Sequence, residues 1–242
     1  MSLVVVTCRA TLLRGRSHSM DDIGKITAPD AYDLMMGLSR MTGSEMIADI
    51  AKVVGDLNPP VFTHALNAKQ IASKQWLLLE MLNNLGSVFS NILVVGGWYG
   101  VLSALLLNDP RFVIGRISSV DLDPSCAPVA ELLNRRFMRD GRFSAHTSDM
   151  YRFDYGSMSG DAGSLVINTS CEHIPNLRDW LALLPRGQQV VLQSNDYHAI
   201  PEHIACVSSA DELATLAGLS TVSFSGALPS KNYTRFMVMG RV

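Results

Sequence analysis

The sequence ILVVGGWYGVLSALLL, residues 92–107, has the pattern of a buried β-strand, a glycine-containing turn and an apolar helix. Glycines allow the backbone of such a turn to approach a ligand closely, and the first turn of the following helix offers unpaired N–H groups. A tight strand-to-helix turn without a ligand would explain Gly96, Gly97 and Gly100 equally well. The segment from Ile92 to Gly100 is therefore a candidate floor of a cofactor site, which needs support from neighbouring elements.

Strand and helix patterns alternate from this segment to the end of the chain, which predicts a doubly wound α/β fold. Only a turn around residues 229–232 separates the last two strands, so we expect a seven-stranded, Rossmann-like sheet that ends in an antiparallel hairpin. The predicted strands are Ile92–Val95, Ile117–Val120, Phe143–His146, Ser164–Ile167, Gln189–Gln193, Thr221–Ser225 and Arg235–Met239. The predicted helices between them are Val101–Asn108, Cys126–Arg139, Leu177–Leu184 and Ala210–Ala217.

The N-terminal third has a helical pattern instead. Apolar residues recur at spacings of three and four between Ala28 and Leu57, and a further helical run ends near Gly86. Met20, followed by two aspartates, is an alternative start of the chain. We predict a flexible leader over residues 1–20, an N-terminal helical cap over 21–90 and a Rossmann-like, ligand-binding domain over 91–242.

Composition narrows the class of protein. A chain of 242 residues, 48% of them hydrophobic, can bury a complete α/β core. Its net charge of -2 offers no positive field for a polyanion, so nucleic acid is not expected as a partner. The apolar run Leu3 to Val6 is too short to span a membrane, and arginines follow it, so a signal peptide fits poorly. We expect a cytoplasmic protein that acts away from membranes, with monomer and homodimer both open.

Cysteines and histidines give no metal-ligand pattern. The four cysteines are scattered and form no CxxC pair, which indicates reduced thiols. His64, His198 and His203 lie in separate elements at spacings that do not match a metal site, so no metal is predicted. The cysteines are Cys8, Cys126, Cys171 and Cys206.

Polar side chains follow the next two predicted strands. Asp121 ends the second strand, about 20 residues after the glycine turn, where a carboxylate can accept both ribose hydroxyls of an adenosine. Asp123 is the competing acid, but its position before Pro124 suggests a helix cap. The third strand ends at Ser148 and Asp149, which we expect at the adenine amino group, with Met150 against the ring; a plain loop aspartate is the alternative.

The segment NTSCEHI follows the fourth strand and offers polar groups to the same edge of the sheet. Asn168 and Ser170 can donate and accept hydrogen bonds, and Glu172 or His173 could serve as a general base. A histidine bonded to backbone is the simpler interpretation of His173, and a buried structural thiol is that of Cys171. After the fifth strand, Ser194 extends the polar edge.

The series GGWYG, VDLDP, SDM and NTSCEHI, in this order over residues 91–242, resembles the class I SAM-dependent methyltransferase superfamily, where SAM is S-adenosylmethionine. The resemblance implies that Gly96 and Gly97 approach the methionine part of SAM, that Asp121 and Leu122 lie at the ribose and that Ser148, Asp149 and Met150 lie at the adenine, with Asn168 also at the cofactor. The family pattern GxGxG is altered, because Trp98 and Tyr99 occupy the turn. Their faces could stabilise the sulfonium cation, although packing under the cap is an equal alternative for Tyr99.

The cap contributes SKQW, in which Lys74 or Gln75 could bind the carboxylate of SAM; a solvated lysine is the alternative. With GGWYG and NTSCEH, this closed lid is similar to the azetidine-2-carboxylate synthases of bacterial nonribosomal peptide pathways, which cyclise SAM. That resemblance implies intramolecular attack of the α-amine on the γ-carbon with release of methylthioadenosine. The alternatives are a conventional small-molecule methyltransferase and a non-catalytic SAM-binding scaffold. The candidate catalytic residues are Trp98, Tyr99, Asn168, Ser170, Glu172 and Ser194.

Overall fold

A computed structural model describes residues 27–57, 59, 61–158, 161 and 163–242. The predicted leader, residues 1–20, lies outside this range. The strands are β1 Val88–Val95, β2 Val113–Asp121, β3 Phe143–Thr147, β4 Ser164–Asn168, β5 Gln189–Asn195, β6 Thr221–Pro229 and β7 Thr234–Arg241. The helices are α1 Ala28–Thr42, α2 Glu45–Asp56, α3 Phe62–Ala65, α4 Ala68–Asn84, α5 Val101–Asn108, α6 Cys126–Leu133, α7 Arg135–Arg139, α8 Leu177–Leu181 and α9 Ala210–Ala217.

The seven strands form one sheet in the order β3-β2-β1-β4-β5-β7-β6. Strands β1 to β5 are parallel, whereas β7 runs antiparallel to both β5 and β6. The predicted doubly wound sheet with a final antiparallel hairpin is therefore confirmed. Because the strand order reverses between β1 and β4, the carboxyl ends of these strands border a crevice in which α/β proteins bind ligands.

Both faces of the sheet are covered by buried apolar residues. One cluster joins the sheet to α4 and α5, and a second joins it to α8 and α9. Leu77 and Met81 of α4 are completely buried and pack in the first cluster beside Ile92. Helix α4, which the sequence analysis assigned to the cap, therefore packs directly on the sheet beside the crevice.

The predicted helix Cys126–Arg139 is divided into two. At Asn134 the backbone leaves the helical region, with φ -103° and ψ 18°. The fully buried Asn134 side chain donates hydrogen bonds to the carbonyls of Gly100 (3.1 Å) and Ala130 (2.9 Å). This break therefore ties the α6–α7 junction to the turn between β1 and α5.

None of the helices in the part of the chain that the structure describes combines the length and apolarity needed to cross a bilayer.

Candidate functional site

A cavity of about 660 Å³ lies at the carboxyl ends of β1, β2, β4 and β5, beneath α3 and α4. Ligand sites in proteins are commonly of this size. Most of the predicted site residues line it: Lys74, Gly96, Gly97, Trp98, Tyr99, Asp121, Leu122, Met150, Asn168, Ser170 and Glu172. Among its further lining residues are Gln70, His173, Asn195, Tyr197, His203, Tyr233 and Arg235.

The turn after β1 is fixed by close packing. A Cβ atom at Gly97 would lie 2.0 Å from the Ser119 hydroxyl oxygen on β2, so no larger residue fits there. Trp98 adopts a φ of 47°, the one positive φ of a non-glycine residue among those described. This conformation is strained for a residue with a Cβ atom. It directs the Trp98 N–H toward Asp121.

Asp121 is the acceptor for that N–H. Its Oδ2 accepts from the Trp98 N–H at 2.8 Å, and its Oδ1 accepts from the Asp123 N–H at 3.0 Å. Each carboxylate oxygen has further lone-pair capacity for a ligand hydroxyl. Asp123 is exposed and accepts from the Ser125 N–H at 2.8 Å in the turn before α6. The predicted helix cap is wrong in its position, because Ser125 is the N-cap residue and no side chain caps α6.

The two aromatic residues of the turn differ in their environments. Trp98 and Tyr99 are stacked, with ring centroids 5.0 Å apart. Tyr99 is only 5% exposed and packs on Phe62 of α3 at 5.9 Å, and burial raises the pKa of its hydroxyl. Trp98 is less buried. Tyr99 thus supports the cap and backs Trp98, which leaves Trp98 as the better candidate for contact with a cationic ligand.

Two cationic side chains, Lys74 and Arg235, also line the cavity. Lys74 of α4 donates to Gln70 Oε1 at 2.9 Å. Burial, together with the nearby positive charge of Arg235, lowers the pKa of Lys74 to about 8. Arg235 is 7% exposed and donates from Nη1 to the Thr169 carbonyl at 3.0 Å. A ligand carboxylate at this place would meet both cations.

Arg235 was not predicted from the sequence. It belongs to β7, and the antiparallel pairing sets it opposite Asn195 at the end of β5. An arginine in an apolar strand is a weak signal, because its meaning depends on which strand lies beside it. The predicted hairpin pairs β7 with β6. It did not show that the other neighbour of β7 is β5.

Glu172 is a buried acid at the cavity wall. It is 3% exposed, and its Oε1 accepts from Asn195 Nδ2 at 2.6 Å and lies 3.9 Å from Arg235 Nη1. Its Oε2 has no hydrogen-bond partner among the described residues. His173 and His203 also line this wall, and their rings meet edge to face at 4.8 Å. His203 was not predicted as a site residue. It lies 30 positions after His173, beyond α8 and β5.

The cysteine of the same segment is closed off. Cys171 is buried, and burial raises the pKa of its thiol well above the ordinary value. A protonated, inaccessible thiol is a poor nucleophile. The interpretation of Cys171 as a structural residue agrees with this environment.

Four predicted site residues lie outside the cavity. Asp149 begins a turn, in which its Oδ1 accepts from the Tyr151 N–H at 2.9 Å, and the Ser148 N–H before it donates to the Asp121 carbonyl at 2.9 Å. Of this segment, Met150 alone lines the cavity. Gln75 lies one position after Lys74, about 100° around the helix, and borders a separate depression near Arg111.

Ser194 is the fourth of these residues. Side chains alternate along β5, and Gln193 faces Ser73 of α4 (3.3 Å). Ser194 is therefore buried on the opposite face of the sheet, so its candidate catalytic role has no geometric support.

The comparisons with known proteins concern the fold. No protein-family model and no curated protein matches the chain. Several solved structures do match. The fold is that of a class I methyltransferase. N-methyltransferase NodS from Bradyrhizobium japonicum WM9, in complex with S-adenosylhomocysteine, aligns with a TM-score of 0.55 at 16% identity, over 80% of this chain and 96% of NodS.

Two further structures show the same likeness. Magnesium protoporphyrin IX methyltransferase (ChlM) from Synechocystis PCC 6803, with bound SAM, aligns with a TM-score of 0.55 at 12% identity, over 88% of this chain and 97% of ChlM. The [4+2]-cyclase SpnF aligns with a TM-score of 0.54 at 10% identity, over 71% of this chain and 82% of SpnF.

Proposed function

We propose that this chain is an enzyme that binds SAM in the cavity and cyclises it to azetidine-2-carboxylic acid, releasing methylthioadenosine. SAM binding is supported by Asp121 at the end of β2, beside the strained Trp98 turn. It is also supported by two proteins of the same fold, NodS and ChlM, whose structures contain S-adenosylhomocysteine and SAM.

The observation that carries the cyclisation proposal is the placement of Lys74 and Arg235 in the same cavity as Trp98. The adenosine end of SAM would lie at Asp121, the sulfonium at the face of Trp98 and the α-carboxylate at the two cations. A substrate held at both ends is restricted to few conformations. Such restriction is the main contribution a protein can make to an intramolecular reaction.

Every bond between heavy atoms that forms or breaks belongs to one molecule. The α-amine forms a bond to the γ-carbon while the bond from this carbon to sulfur breaks, and sulfur keeps the electron pair as a neutral thioether. The substrate ammonium releases one proton to water before ring closure, and the ring nitrogen of the product keeps the other two. Positive charges of Lys74 and Arg235 next to the ammonium favour this loss, because like charges lower the pKa of an ammonium group. No acceptor molecule is required.

Conventional methyl transfer to a small molecule is the second candidate. The cavity is also lined by His173, Tyr197 and His203, which are not among the residues proposed to bind SAM and could contact an acceptor. NodS and ChlM are methyltransferases, whereas SpnF is a [4+2]-cyclase, so proteins of this fold are not restricted to methyl transfer.

The test is an incubation of the purified protein with SAM alone, followed by mass spectrometry of the products. The proposal predicts methylthioadenosine and a four-carbon cyclic imino acid in equal amounts. Stable SAM that yields S-adenosylhomocysteine only after a cell extract is added would support methyl transfer instead. Tight SAM binding with no product in either case would indicate a scaffold.

A further inference from the structure

Three potential metal ligands converge on one wall of the cavity. One ligand atom each from Glu172, His173 and His203 lies within 4.8 Å of the other two. Two imidazoles and one carboxylate are a donor set that suits divalent transition metals such as Zn²⁺, Co²⁺ and Fe²⁺. Ligand atoms bound to one such ion at about 2.0–2.2 Å are roughly 3–4 Å apart. Small side-chain rotations would bring the three atoms to that spacing.

Both histidines are oriented as metal ligands usually are. His173 Nδ1 lies 2.9 Å from the carbonyl oxygen of Glu202, and His203 Nδ1 lies 2.7 Å from that of Tyr197. A carbonyl can only accept, so each Nδ1 carries a proton, and in the neutral imidazole Nε2 keeps its lone pair for a metal ion. This hydrogen bond on the second nitrogen is the common arrangement that fixes the tautomer of a metal-bound histidine.

The carboxylate is held in a complementary way. Asn195 and Arg235 approach Glu172 at Oε1, at 2.6 and 3.9 Å, which fixes the orientation of the group. The other oxygen, Oε2, is buried without a hydrogen-bond partner among the described residues. Such an orphaned acceptor is unfavourable unless something binds it. A metal ion at Oε2 would supply the missing partner.

We infer that Glu172, His173 and His203 bind one divalent transition-metal ion at the wall of the cavity. The sequence analysis predicted no metal, because His203 lies 30 positions after His173 and this spacing matches no ligand pattern. All three ligands line the cavity, so the remaining coordination positions would face it. An oxygen or nitrogen donor of a bound small molecule would complete the coordination there.

This inference is independent of the proposed reaction and is tested without SAM. The full chain, freed of metals by a chelator, is titrated with CoCl₂ while the ligand-field absorption of Co²⁺ is recorded, and with ZnCl₂ by calorimetry. We expect one ion per chain and a spectrum of nitrogen and oxygen ligands without thiolate charge transfer. His173→Gln and His203→Gln should each weaken binding about tenfold or more, since even the loss of an outer-shell partner typically lowers metal affinity 10- to 100-fold.

Two control variants separate this site from other histidines. His64→Gln and His146→Gln each remove an exposed histidine outside the cavity; neither should change the affinity. Glu172→Gln is a weaker test because loss of a buried charge beside Arg235 can prevent folding. Absence of stoichiometric binding, or equal binding by wild type, His173→Gln and His203→Gln, would overturn the inference and leave the histidines as packing residues.

Discussion

The backbone N–H of Trp98 donates a 2.8 Å hydrogen bond to Asp121 Oδ2, and Trp98 adopts a left-handed conformation in doing so. The bond joins the turn after β1 to the end of β2. An acid predicted to hold a ribose therefore also positions the aromatic side chain predicted to face the sulfonium. Binding of the nucleoside and placement of Trp98 should be coupled through this one carboxylate.

Asp121→Ala should weaken binding of S-adenosylhomocysteine by about 10- to 100-fold, because charge-assisted hydrogen bonds contribute about 1.5–3 kcal/mol. Calorimetry measures this directly. Asp123→Ala, which removes only an exposed turn carboxylate and keeps the backbone N–H that Asp121 accepts from, is the matched control and should bind normally.

The ribose assignment requires a further comparison, because Asp121→Ala also releases Trp98. The wild type should prefer S-adenosylhomocysteine over its 2′,3′-dideoxyribose analogue, and Asp121→Ala should bind both equally. An undiminished preference in the variant would show that the ribose lies elsewhere.

Trp98→Ala should lower turnover more than binding. A cation–π contact contributes about 0.5–2 kcal/mol, so kcat should fall roughly 3- to 30-fold if the contact strengthens in the transition state. Trp98→Phe keeps an aromatic face and should retain most of the activity. Equal losses in kcat and in SAM affinity would instead assign Trp98 to packing against Tyr99.

The backbone strain at Trp98 can be measured separately from its side chain. Trp98→Gly and Trp98→Ala both remove the indole ring, but only glycine adopts positive φ without strain. We expect the glycine variant to be more stable than the alanine variant by about 1 kcal/mol. Chemical denaturation of the two variants provides the comparison, and an alanine variant as stable as the glycine variant would argue against the left-handed turn.

Binding of a carboxylate ligand should depend on pH through Lys74. The pKa of this ammonium in the free protein is lowered to about 8. Below that pH it is charged and attracts a carboxylate, and above it the charge is lost, so affinity for S-adenosylhomocysteine should fall as pH rises through about 8. Lys74→Arg keeps its charge throughout this range. Its affinity should lack this step and retain only the pH dependence of the ligand's own amine; identical profiles would remove Lys74 from the carboxylate site.

The parts of the fold that depend on local pattern were predictable. Helices α5 and α9 have the predicted bounds, because their apolar runs are delimited by turn residues and a serine cap. The division of the predicted helix 126–139 was not predictable. Its cause is the tertiary hydrogen bond from Asn134 to the Gly100 carbonyl, which no periodicity reveals.

The same distinction applies to the site. Residues at the ends of the parallel strands, such as Asp121 and Asn168, were placed at one edge by the alternating pattern alone. Arg235 and His203 reach the cavity from an antiparallel strand and a long loop, whose positions depend on sheet order. Gln75 and Ser194 do not line the cavity, whereas their neighbours Lys74 and Asn195 do. A helix turns by about 100° per residue and a strand alternates faces, so a shift of one position moves a side chain away from the site.

The proposed cyclisation is intramolecular, so SAM reacts with itself and its methyl group stays on sulfur. The most direct measurement uses SAM with a deuterated S-methyl group, incubated with the purified protein and no acceptor. Cyclisation predicts that all of the label appears in methylthioadenosine and that the four-carbon imino acid is unlabelled. SAM that stays intact in this incubation, and that yields S-adenosylhomocysteine with the label on another molecule once a cell extract is added, would contradict cyclisation and establish methyl transfer.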